Sequence, residues 1–224
     1  MEVIEDILID NLKIIQDDTL YRFTSDAVIL SKFASFKKGE VVADFCSGSG
    51  IVGIHYYALN KGLKSVDLIE VQQELALLSK KSVELNGLQE KFTVLNMPIQ
   101  NLGSEYNQKY SLILCNPPYK KCGSGETNLD KKIAICRHEV LVTQEEIISI
   151  ASKKLKYGGR LCMCQRVERL TEMIVSMKSF GLEPSRLQFI VTNNNQKPYL
   201  FLIEAVKGVK PQLKVLENYV NGAR

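Results

Sequence analysis

The chain has 224 residues, of which 45% are hydrophobic and 24% are charged. This composition is typical of a globular protein with one large domain or two small ones, and it excludes a disordered, collagen-like or bare coiled-coil chain. Lysine and arginine outnumber aspartate and glutamate by 29 to 25, a net charge of +4. That excess is compatible with a polyanionic partner but is too small to demonstrate one.

Apolar runs are short throughout, and the longest, such as 199–203, falls far short of the ~20 residues that cross a bilayer. The chain starts with the acidic segment MEVIED and lacks the basic region of a secretory signal, so we expect a cytoplasmic protein without membrane contact. Six cysteines form no Cys-x-x-Cys pair and accompany two histidines, which argues against a metal site and, in a reducing compartment, against disulfides. We expect Cys162 and Cys164 in the core.

Residues 1–38 contain one predicted helix, around Ser25–Phe36, and short β-branched runs alternate with segments of helical period from residue 39 onward. This alternation is typical of a parallel sheet with crossover helices. The seven predicted strands are Val41–Cys46, Ser65–Glu70, Phe92–Asn96, Tyr110–Cys115, Arg160–Gln165, Arg186–Val191 and Tyr199–Val206.

Two helices between these strands have clear boundaries. Gln72–Asn86 has an apolar stripe and stops at an Asn-Gly terminator, and Thr143 and Glu146 form the capping box of a helix predicted to end near Tyr157. The 192–198 link is too short for a crossover, so the last two strands should be antiparallel. The sequence predicts an α/β, Rossmann-like fold with a seven-stranded, mostly parallel sheet and a terminal antiparallel hairpin. We expect this domain at 39–207, with an extension at 1–38 and a surface-lying tail at 208–224.

The first predicted strand runs into a glycine-rich turn, DFCSGSGIVG at 44–53, that opens a helix. Glycines let backbone N–H groups approach a ligand closely, so the turn is predicted to bind one through its main chain. Gly48, Gly50 and Gly53 have the spacing G-x-G-x-x-G, and the lack of Gly-Lys-Ser/Thr disfavours a triphosphate.

Polar side chains stand at the carboxyl ends of the first three predicted strands. Asp44 precedes the glycines, Glu70 follows Gly50 by 20 positions, and Asn96 ends the third strand. Glu70 has the position of a carboxylate that accepts hydrogen bonds from both ribose hydroxyls of an adenosine-containing cofactor. Because such ends meet at one edge of a parallel sheet, the sequence predicts a cofactor site there.

The most informative stretch is Asn116-Pro117-Pro118-Tyr119, at the end of the fourth predicted strand. Prolines fix the backbone and lack N–H donors, so the Asn116 side-chain oxygen and the Pro117 carbonyl can both accept from one external NH₂ group. Tyr119 offers a flat face on which a base or amide can stack. A conjugated amine is a poor nucleophile, and two acceptors on its hydrogens favour the pyramidal geometry that exposes its lone pair to a methyl donor.

Together, the glycine turn and the Asn-Pro-Pro-Tyr motif resemble the class I S-adenosylmethionine-dependent methyltransferases, in the branch that methylates the amino groups of adenine, cytosine or glutamine. The resemblance covers roughly residues 39–206 and implies the fold of that class. It implies a catalytic motif formed by Asn116, Pro117, Pro118 and Tyr119. The cofactor-binding residues that it implies are Thr24, Asp26, Asp44, Cys46, Gly48, Gly50, Glu70, Val71, Asn96, Met97 and Asn116.

The resemblance also implies a role for several of these residues. The Gly48/Gly50 turn and Asp44 would hold the methionine part of S-adenosylmethionine, and Glu70 its ribose. Val71 would flank the adenine ring, and Asn96 would accept from the exocyclic amine of that ring. The family usually has aspartate at the position of Asn96, which keeps an acceptor oxygen.

The segment Tyr21–Leu30 and the closing strand with Lys197-Pro198-Tyr199 are similar to bacterial enzymes that methylate N6 of adenine 37, beside the anticodon of tRNA(Val). This similarity implies a tRNA substrate and a role for Thr24 and Asp26 in shaping the cofactor pocket. An unpaired anticodon-loop adenine can be splayed onto an aromatic ring. The basic residues that could clamp an RNA backbone are Lys120, Lys121, Lys131, Lys132, Arg137 and His138. A solvated loop is the alternative, because acidic residues dilute that charge.

Two other functions stay open. Glutamine N5-methylation of a release factor would use the same tetrapeptide on an amide, although the short N-terminal segment leaves no room for a separate helical substrate domain. A module that binds the cofactor or RNA without turnover would require a damaged pocket, whereas both motifs are intact. His55 lies in the helix after the glycine turn, where we expect a structural role.

Overall fold

The computed structural model describes residues 1–20, 22–117, 119, 141–193 and 195–222. Its strands are β1 Glu2–Asp6, β2 Lys13–Asp17, β3 Val41–Phe45, β4 Ser65–Glu70, β5 Phe92–Asn96, β6 Tyr110–Cys115, β7 Leu155–Arg166, β8 Leu182–Thr192, β9 Asn195–Lys207, β10 Lys214–Val215 and β11 Tyr219–Asn221. Its α-helices are α1 Ser25–Phe33, α2 Ile51–Leu59, α3 Gln73–Leu85, α4 Gln144–Lys154 and α5 Leu170–Ser179. Pro118 and the basic segment 120–138, with Cys122 and Cys136, lie outside the described residues.

Over the described residues the main sheet has nine strands in the order β10-β8-β9-β7-β6-β3-β4-β5, and β11 also pairs with β8. Strands β3 to β7 are mutually parallel, whereas β9 runs antiparallel to both β7 and β8. The predicted α/β, Rossmann-like fold with a terminal antiparallel hairpin is therefore confirmed. The strand number rises from seven to nine because the tail contributes β10 and β11.

The centre of the sheet is buried on both faces, which explains its near-continuous apolar strands. Along β6, Leu112 and Leu114 pack into the core on one face, and Ile113 and Cys115 pack into the core on the other. All four are fully buried. Cys162 and Cys164 of β7 are also fully buried, so the prediction that they belong to the core is confirmed.

Helix α4 begins as predicted but ends earlier than predicted. Thr143 and Glu146 form both hydrogen bonds of the capping box, whereas the helix ends at Lys154 and β7 starts directly at Leu155. The glycines expected to follow the helix instead lie inside β7, where the pairing with β6 is irregular. A Cβ on Gly159 would lie 2.8 Å from the Lys156 carbonyl oxygen, so a close backbone approach explains that glycine.

The N-terminal 38 residues contain an antiparallel hairpin, β1 and β2, besides the predicted helix. Ser82 of α3 and Asn86, which caps that helix, hold the hairpin: Ser82 Oγ accepts from the Ile15 N–H at 2.9 Å, and Asn86 Oδ1 accepts from the Lys13 N–H at 2.9 Å. Helix α1 is shorter than predicted and ends at Phe33, since Ala34 turns to extended backbone. The N-terminal segment therefore contains two strands that the sequence analysis did not predict.

The C-terminal tail contains two short strands. Strands β10 and β11 both pair in parallel with β8, which would otherwise be an edge strand of the sheet. An uncovered edge leaves a row of backbone donors and acceptors without partners, so the tail satisfies them. The sequence predicted a surface-lying tail but not the strands Lys214–Val215, which is exposed, and Tyr219–Asn221, which is half-buried.

His55 has the structural role expected of it. Its ring is buried in α2, and Nδ1 lies 2.6 Å from Ser31 Oγ of α1. Burial, with a smaller contribution from Lys32, lowers the pKa of His55 to about 4, so the ring is neutral near pH 7 and joins two helices. None of the described helices is both long and apolar enough to span a membrane.

Candidate active site

The glycine-rich turn between β3 and α2 has an unusual backbone. Cys46, Gly48 and Gly50 all have φ in the left-handed region, at 57°, 57° and 87°. Gly50 caps the first turn of α2, and the N–H groups of Gly48 and Gly50 donate within the protein, to Glu70 Oε2 at 2.8 Å and to the Ser47 carbonyl oxygen at 2.8 Å. These bonds fix the turn at the carboxyl edge of the sheet, and ligand binding by its main chain stays a prediction.

Gly50 and Gly53 also let α2 pack closely on β4. A Cβ built on Gly50 would lie 2.9 Å from Leu68 Cδ1, and one on Gly53 would lie 2.6 Å from Leu68 Cδ2. A Cβ on Gly48 would meet nothing within 4 Å. The three glycines therefore serve two purposes: Gly48 supplies a left-handed turn, Gly53 supplies close packing, and Gly50 supplies both.

Gly50→Ala should destabilise the protein more than Gly48→Ala does. Both alanines would adopt a left-handed φ at a cost of about 1–2 kcal/mol, and Gly50→Ala adds an overpacking cost of about 1–3 kcal/mol against Leu68. Urea denaturation of the two variants measures the difference. Equal losses in the free energy of unfolding would contradict the close packing of α2 on β4.

Asp44 lies at the floor of the turn and is fully buried. Its Oδ2 accepts from the Gly53 N–H at 2.9 Å, and its Oδ1 has no hydrogen-bond donor among the described residues. Burial raises the pKa of Asp44 to about 8; the Gly53 N–H opposes this shift and the nearby Glu70 charge adds to it. A buried acceptor without a donor fits a ligand that carries N–H groups or positive charge.

Glu70 joins the two loops at the ends of β3 and β4. Its Oε2 accepts from the Gly48 N–H at 2.8 Å, and its Oε1 accepts from the Gln72 N–H at 2.9 Å. Burial raises the pKa of this carboxyl, and the hydrogen bonds that it accepts from backbone N–H groups oppose the shift. Each carboxylate oxygen keeps a second lone pair, which is what a pair of ribose hydroxyls requires.

Asn96 lies beside Glu70 at the end of β5. Its Nδ2 donates to the carbonyl oxygens of Glu70, at 2.9 Å, and Val71, at 3.2 Å. These bonds use the donors of the amide and orient the side chain so that Oδ1 remains the group for an external donor. Met97 follows and is half-buried. The arrangement suits an acceptor for an exocyclic amine.

The described part of the acceptor motif lies at the carboxyl end of β6. Phe45 and Cys115 are direct partners in the β3–β6 register, so the glycine turn and Asn116 leave adjacent strands at the same level. Asn116 is half-buried and Pro117 is buried. The Tyr119 hydroxyl lies 2.7 Å from Asn116 Oδ1, which brings the first and last residues of the motif together.

The start of α1 contacts the acceptor motif. Asp26 Oδ2 lies 3.2 Å from the Tyr119 hydroxyl and accepts from Thr24 Oγ1 at 3.0 Å. Cys164 Sγ lies 3.4 Å from the same tyrosine hydroxyl. The resemblance implied that Thr24 and Asp26 shape the cofactor pocket, whereas the contacts of Asp26 in the structure join it to Tyr119.

One residue in the neighbourhood, Asn221, was missed by the sequence analysis. Asn221 of β11 donates through Nδ2 to Ser25 Oγ at 2.9 Å and to the Tyr199 hydroxyl at 2.7 Å. These bonds tie the tail to the start of α1 and to β9. No local motif marks Asn221, since the contact with Ser25 spans 196 positions and depends on the pairing of β11 with β8.

Known proteins similar to this chain point to one class of enzyme. A protein named tRNA1(Val) (adenine(37)-N6)-methyltransferase from Trichodesmium erythraeum is 24% identical over 168 residues, which are 75% of this chain and 70% of that protein. Other proteins of that name match at 21 to 25% identity over 54 to 85% of their own length. This chain therefore spans less than two thirds of the length of some of these relatives.

Solved structures share the fold. A predicted O-methyltransferase, Atu636 from Agrobacterium tumefaciens, superimposes with a TM-score of 0.67 at 20% identity, covering 88% of this chain and 89% of that one. TYW2 of M. jannaschii, solved in complex with AdoMet, superimposes with a TM-score of 0.62 at 14% identity. The superposition covers 91% of this chain and 84% of that one. At these identities the likeness concerns the fold alone.

The family comparison covers most of the chain. The model of the Methyltransferase small domain matches residues 24–180, from the start of α1 to the end of α5. The match includes the glycine turn, Glu70, Asn96 and the acceptor motif, and it stops before β8 and the tail. The protein therefore belongs to the Methyltransferase small domain family and has the Rossmann-like fold of the S-adenosylmethionine-dependent methyltransferases.

Proposed function

We propose that this protein transfers the methyl group of S-adenosylmethionine to the exocyclic N6 amine of an adenine in tRNA. The observation that carries the proposal is the pairing of Phe45 with Cys115, which sets the glycine turn beside Asn116. A donor bound on the turn and an amine bound at Asn116 would then lie next to each other. Holding nitrogen, methyl carbon and sulfur in line lowers the barrier by several kcal/mol through positioning alone.

The acceptor motif suits an amine nitrogen better than a hydroxyl. Asn116 Oδ1 and the Pro117 carbonyl oxygen can each accept one hydrogen of an NH₂ group, and Tyr119 can pack on the plane of the base. Bonds to both hydrogens favour a pyramidal nitrogen, whose lone pair attacks the methyl carbon as the carbon–sulfur bond breaks. S-adenosylhomocysteine leaves, and the methylated nitrogen releases one proton. Pro118 completes the proposed motif.

The residues around the turn fit the parts of the cofactor. Asp44 and the turn at Gly48 and Gly50 would hold the methionine part, with Cys46 in the same turn. Glu70 would accept from the two ribose hydroxyls through the lone pairs that the loops leave available. Val71 would flank the adenine ring of the cofactor, and Asn96 would accept from its exocyclic amine. Met97 follows Asn96 in the chain. The N-terminal extension 1–38 would cover the site through α1.

The choice of tRNA as substrate is supported by the names of the relatives, at 21 to 25% identity. Position 37 of tRNA(Val) is the finer proposal on the same basis. An anticodon-loop adenine is unpaired, so it can reach the site without the opening of a duplex. The basic segment 120–138 stays a prediction for the RNA backbone contact.

The test uses purified protein, tritiated S-adenosylmethionine and unmodified tRNA transcripts, with a release factor as a parallel acceptor. We expect label in tRNA(Val), and nucleoside mass spectrometry should identify it as N6-methyladenosine at position 37. Transcripts in which adenine 37 is replaced by guanine are the matched control and should take up no label. Label confined to the release factor would instead establish glutamine methylation and overturn the proposal.

Cofactor affinity should rise with pH up to about 8. In the free protein the pKa of Asp44 is about 8, and a bound cation favours the carboxylate form, so below pH 8 binding must release a proton. The affinity for S-adenosylmethionine should therefore be about tenfold weaker at pH 6 than at pH 7, and it should stop rising near pH 8, where the α-amino group of the cofactor loses its own charge. Calorimetry on wild type and Asp44→Asn measures this. If both proteins gave the same pH profile, Asp44 would not face the cofactor.

A further inference from the structure

The hydroxyl of Tyr119 has one hydrogen and, within the described residues, three acceptors in reach. Its oxygen lies 2.7 Å from Asn116 Oδ1, 3.2 Å from Asp26 Oδ2 and 3.4 Å from Cys164 Sγ. The shortest distance assigns the hydrogen to Asn116, since the thiol is a weak acceptor and the carboxylate is farther away. The hydroxyl therefore uses a lone pair of the oxygen that the proposed function gives to the substrate amine.

Sharing that oxygen opposes catalysis. Two donors on one amide oxygen repel each other through the partial positive charges of their hydrogens, so the bond to the amine weakens while the tyrosine bond persists. The amine needs its strongest acceptors as the nitrogen becomes pyramidal. The Tyr119 hydrogen bond should therefore leave Asn116 when the substrate binds.

Asp26 is built to receive that hydrogen bond. The residue is 9% exposed. Thr24 Oγ1 already donates a hydrogen bond to Oδ2, which is the oxygen that faces Tyr119. A carboxylate accepts a hydrogen bond more strongly than an amide oxygen does, and the two acceptors differ by 0.5 Å in distance from the hydroxyl. A small movement of the ring suffices to exchange them.

We propose that Asp26 is a positioning residue that accepts the Tyr119 hydrogen bond when the substrate amine takes Asn116. The exchange leaves Asn116 Oδ1 to the amine and holds the tyrosine ring in place beside the acceptor base. This inference rests on the proposed transfer to a planar amine, and it gives Asp26 a role on the substrate side of the site.

A stability cycle tests the exchange without any substrate. If either side chain can accept the hydroxyl, then Asn116→Ala and Asp26→Ala each leave one acceptor, and the double variant leaves none of the two. The double variant should therefore lose about 2–4 °C more in Tm than the sum of the single variants. In a Tyr119→Phe background the excess should vanish. Strict additivity in both backgrounds would overturn the proposal.

Turnover on tRNA provides a second test. Asp26→Ala should lower kcat about tenfold with an unchanged KM for S-adenosylmethionine, and the same change in Tyr119→Phe should lower kcat less than about twofold further. A role through Tyr119 would be contradicted if Asp26→Ala raised the KM for the cofactor. It would also be contradicted if Asp26→Ala lowered kcat by the full tenfold in the Tyr119→Phe background. If wild type transferred no methyl group to tRNA, the proposed function would fail, and the stability cycle would still decide whether Asp26 shares the hydroxyl.

Discussion

Replacing Asn116 by alanine is expected to lower methyl transfer at least about 100-fold while leaving the affinity for S-adenosylmethionine unchanged. The side-chain oxygen at the end of β6 is the proposed acceptor for the substrate amine, whereas the proposed cofactor residues Glu70 and Asn96 end β4 and β5 and the glycine turn follows β3. The loss should therefore appear in kcat rather than in cofactor binding. Single-turnover kinetics and calorimetry measure the two quantities separately.

Asn116→Asp is the matched control for this prediction. Aspartate keeps the size of the side chain and two acceptor oxygens, so it should retain more activity than alanine. Equal activity of wild type and Asn116→Ala would remove the proposed role of the residue. A large loss of cofactor affinity in Asn116→Ala would move that role to the cofactor pocket.

Replacing Glu70 by alanine is expected to weaken S-adenosylmethionine binding about 100-fold or more and to lower stability as well. Two bonds from ribose hydroxyls to a carboxylate contribute about 1.5–3 kcal/mol each. The same change leaves the Gly48 and Gln72 N–H groups without their acceptor, which loosens both loops. Calorimetry gives the affinity, and urea denaturation gives the free energy of unfolding.

Glu70→Gln separates these two effects. Glutamine keeps the length of the side chain and one acceptor oxygen, so it can accept from one of the two loops and from one hydroxyl. Its affinity for the cofactor should fall between those of wild type and Glu70→Ala. If Glu70→Ala bound the cofactor as tightly as wild type, Glu70 would serve the loops alone.

The sheet was largely predictable because its central strands are buried on both faces. The predicted bounds Ser65–Glu70, Phe92–Asn96 and Tyr110–Cys115 coincide with β4, β5 and β6. Such strands are short apolar runs bounded by polar residues, and they leave a clear local pattern. The proposed acceptor motif and the glycine turn could be identified from the sequence for a similar reason, since each is a contiguous stretch.

The hairpin, the early start of β7 and the tail strands were not predictable because distant groups stabilise them. The Lys13 N–H of β2 donates to Asn86, which is 73 positions away, and β11 forms by pairing with the edge of β8. The contact between Asp26 and Tyr119 spans 93 positions, so the sequence could name both residues without placing them together. Non-local pairs of this kind have no periodic or motif signature.

Nucleoside analysis of tRNA from cells that lack this protein tests the central claim most directly. We expect N6-methyladenosine at position 37 of tRNA(Val) to be absent, to return with the wild-type protein, and to stay absent with Asn116→Ala. Unchanged N6-methyladenosine in the deletion strain, or full restoration by Asn116→Ala, would contradict methyl transfer to an adenine amine held at the end of β6.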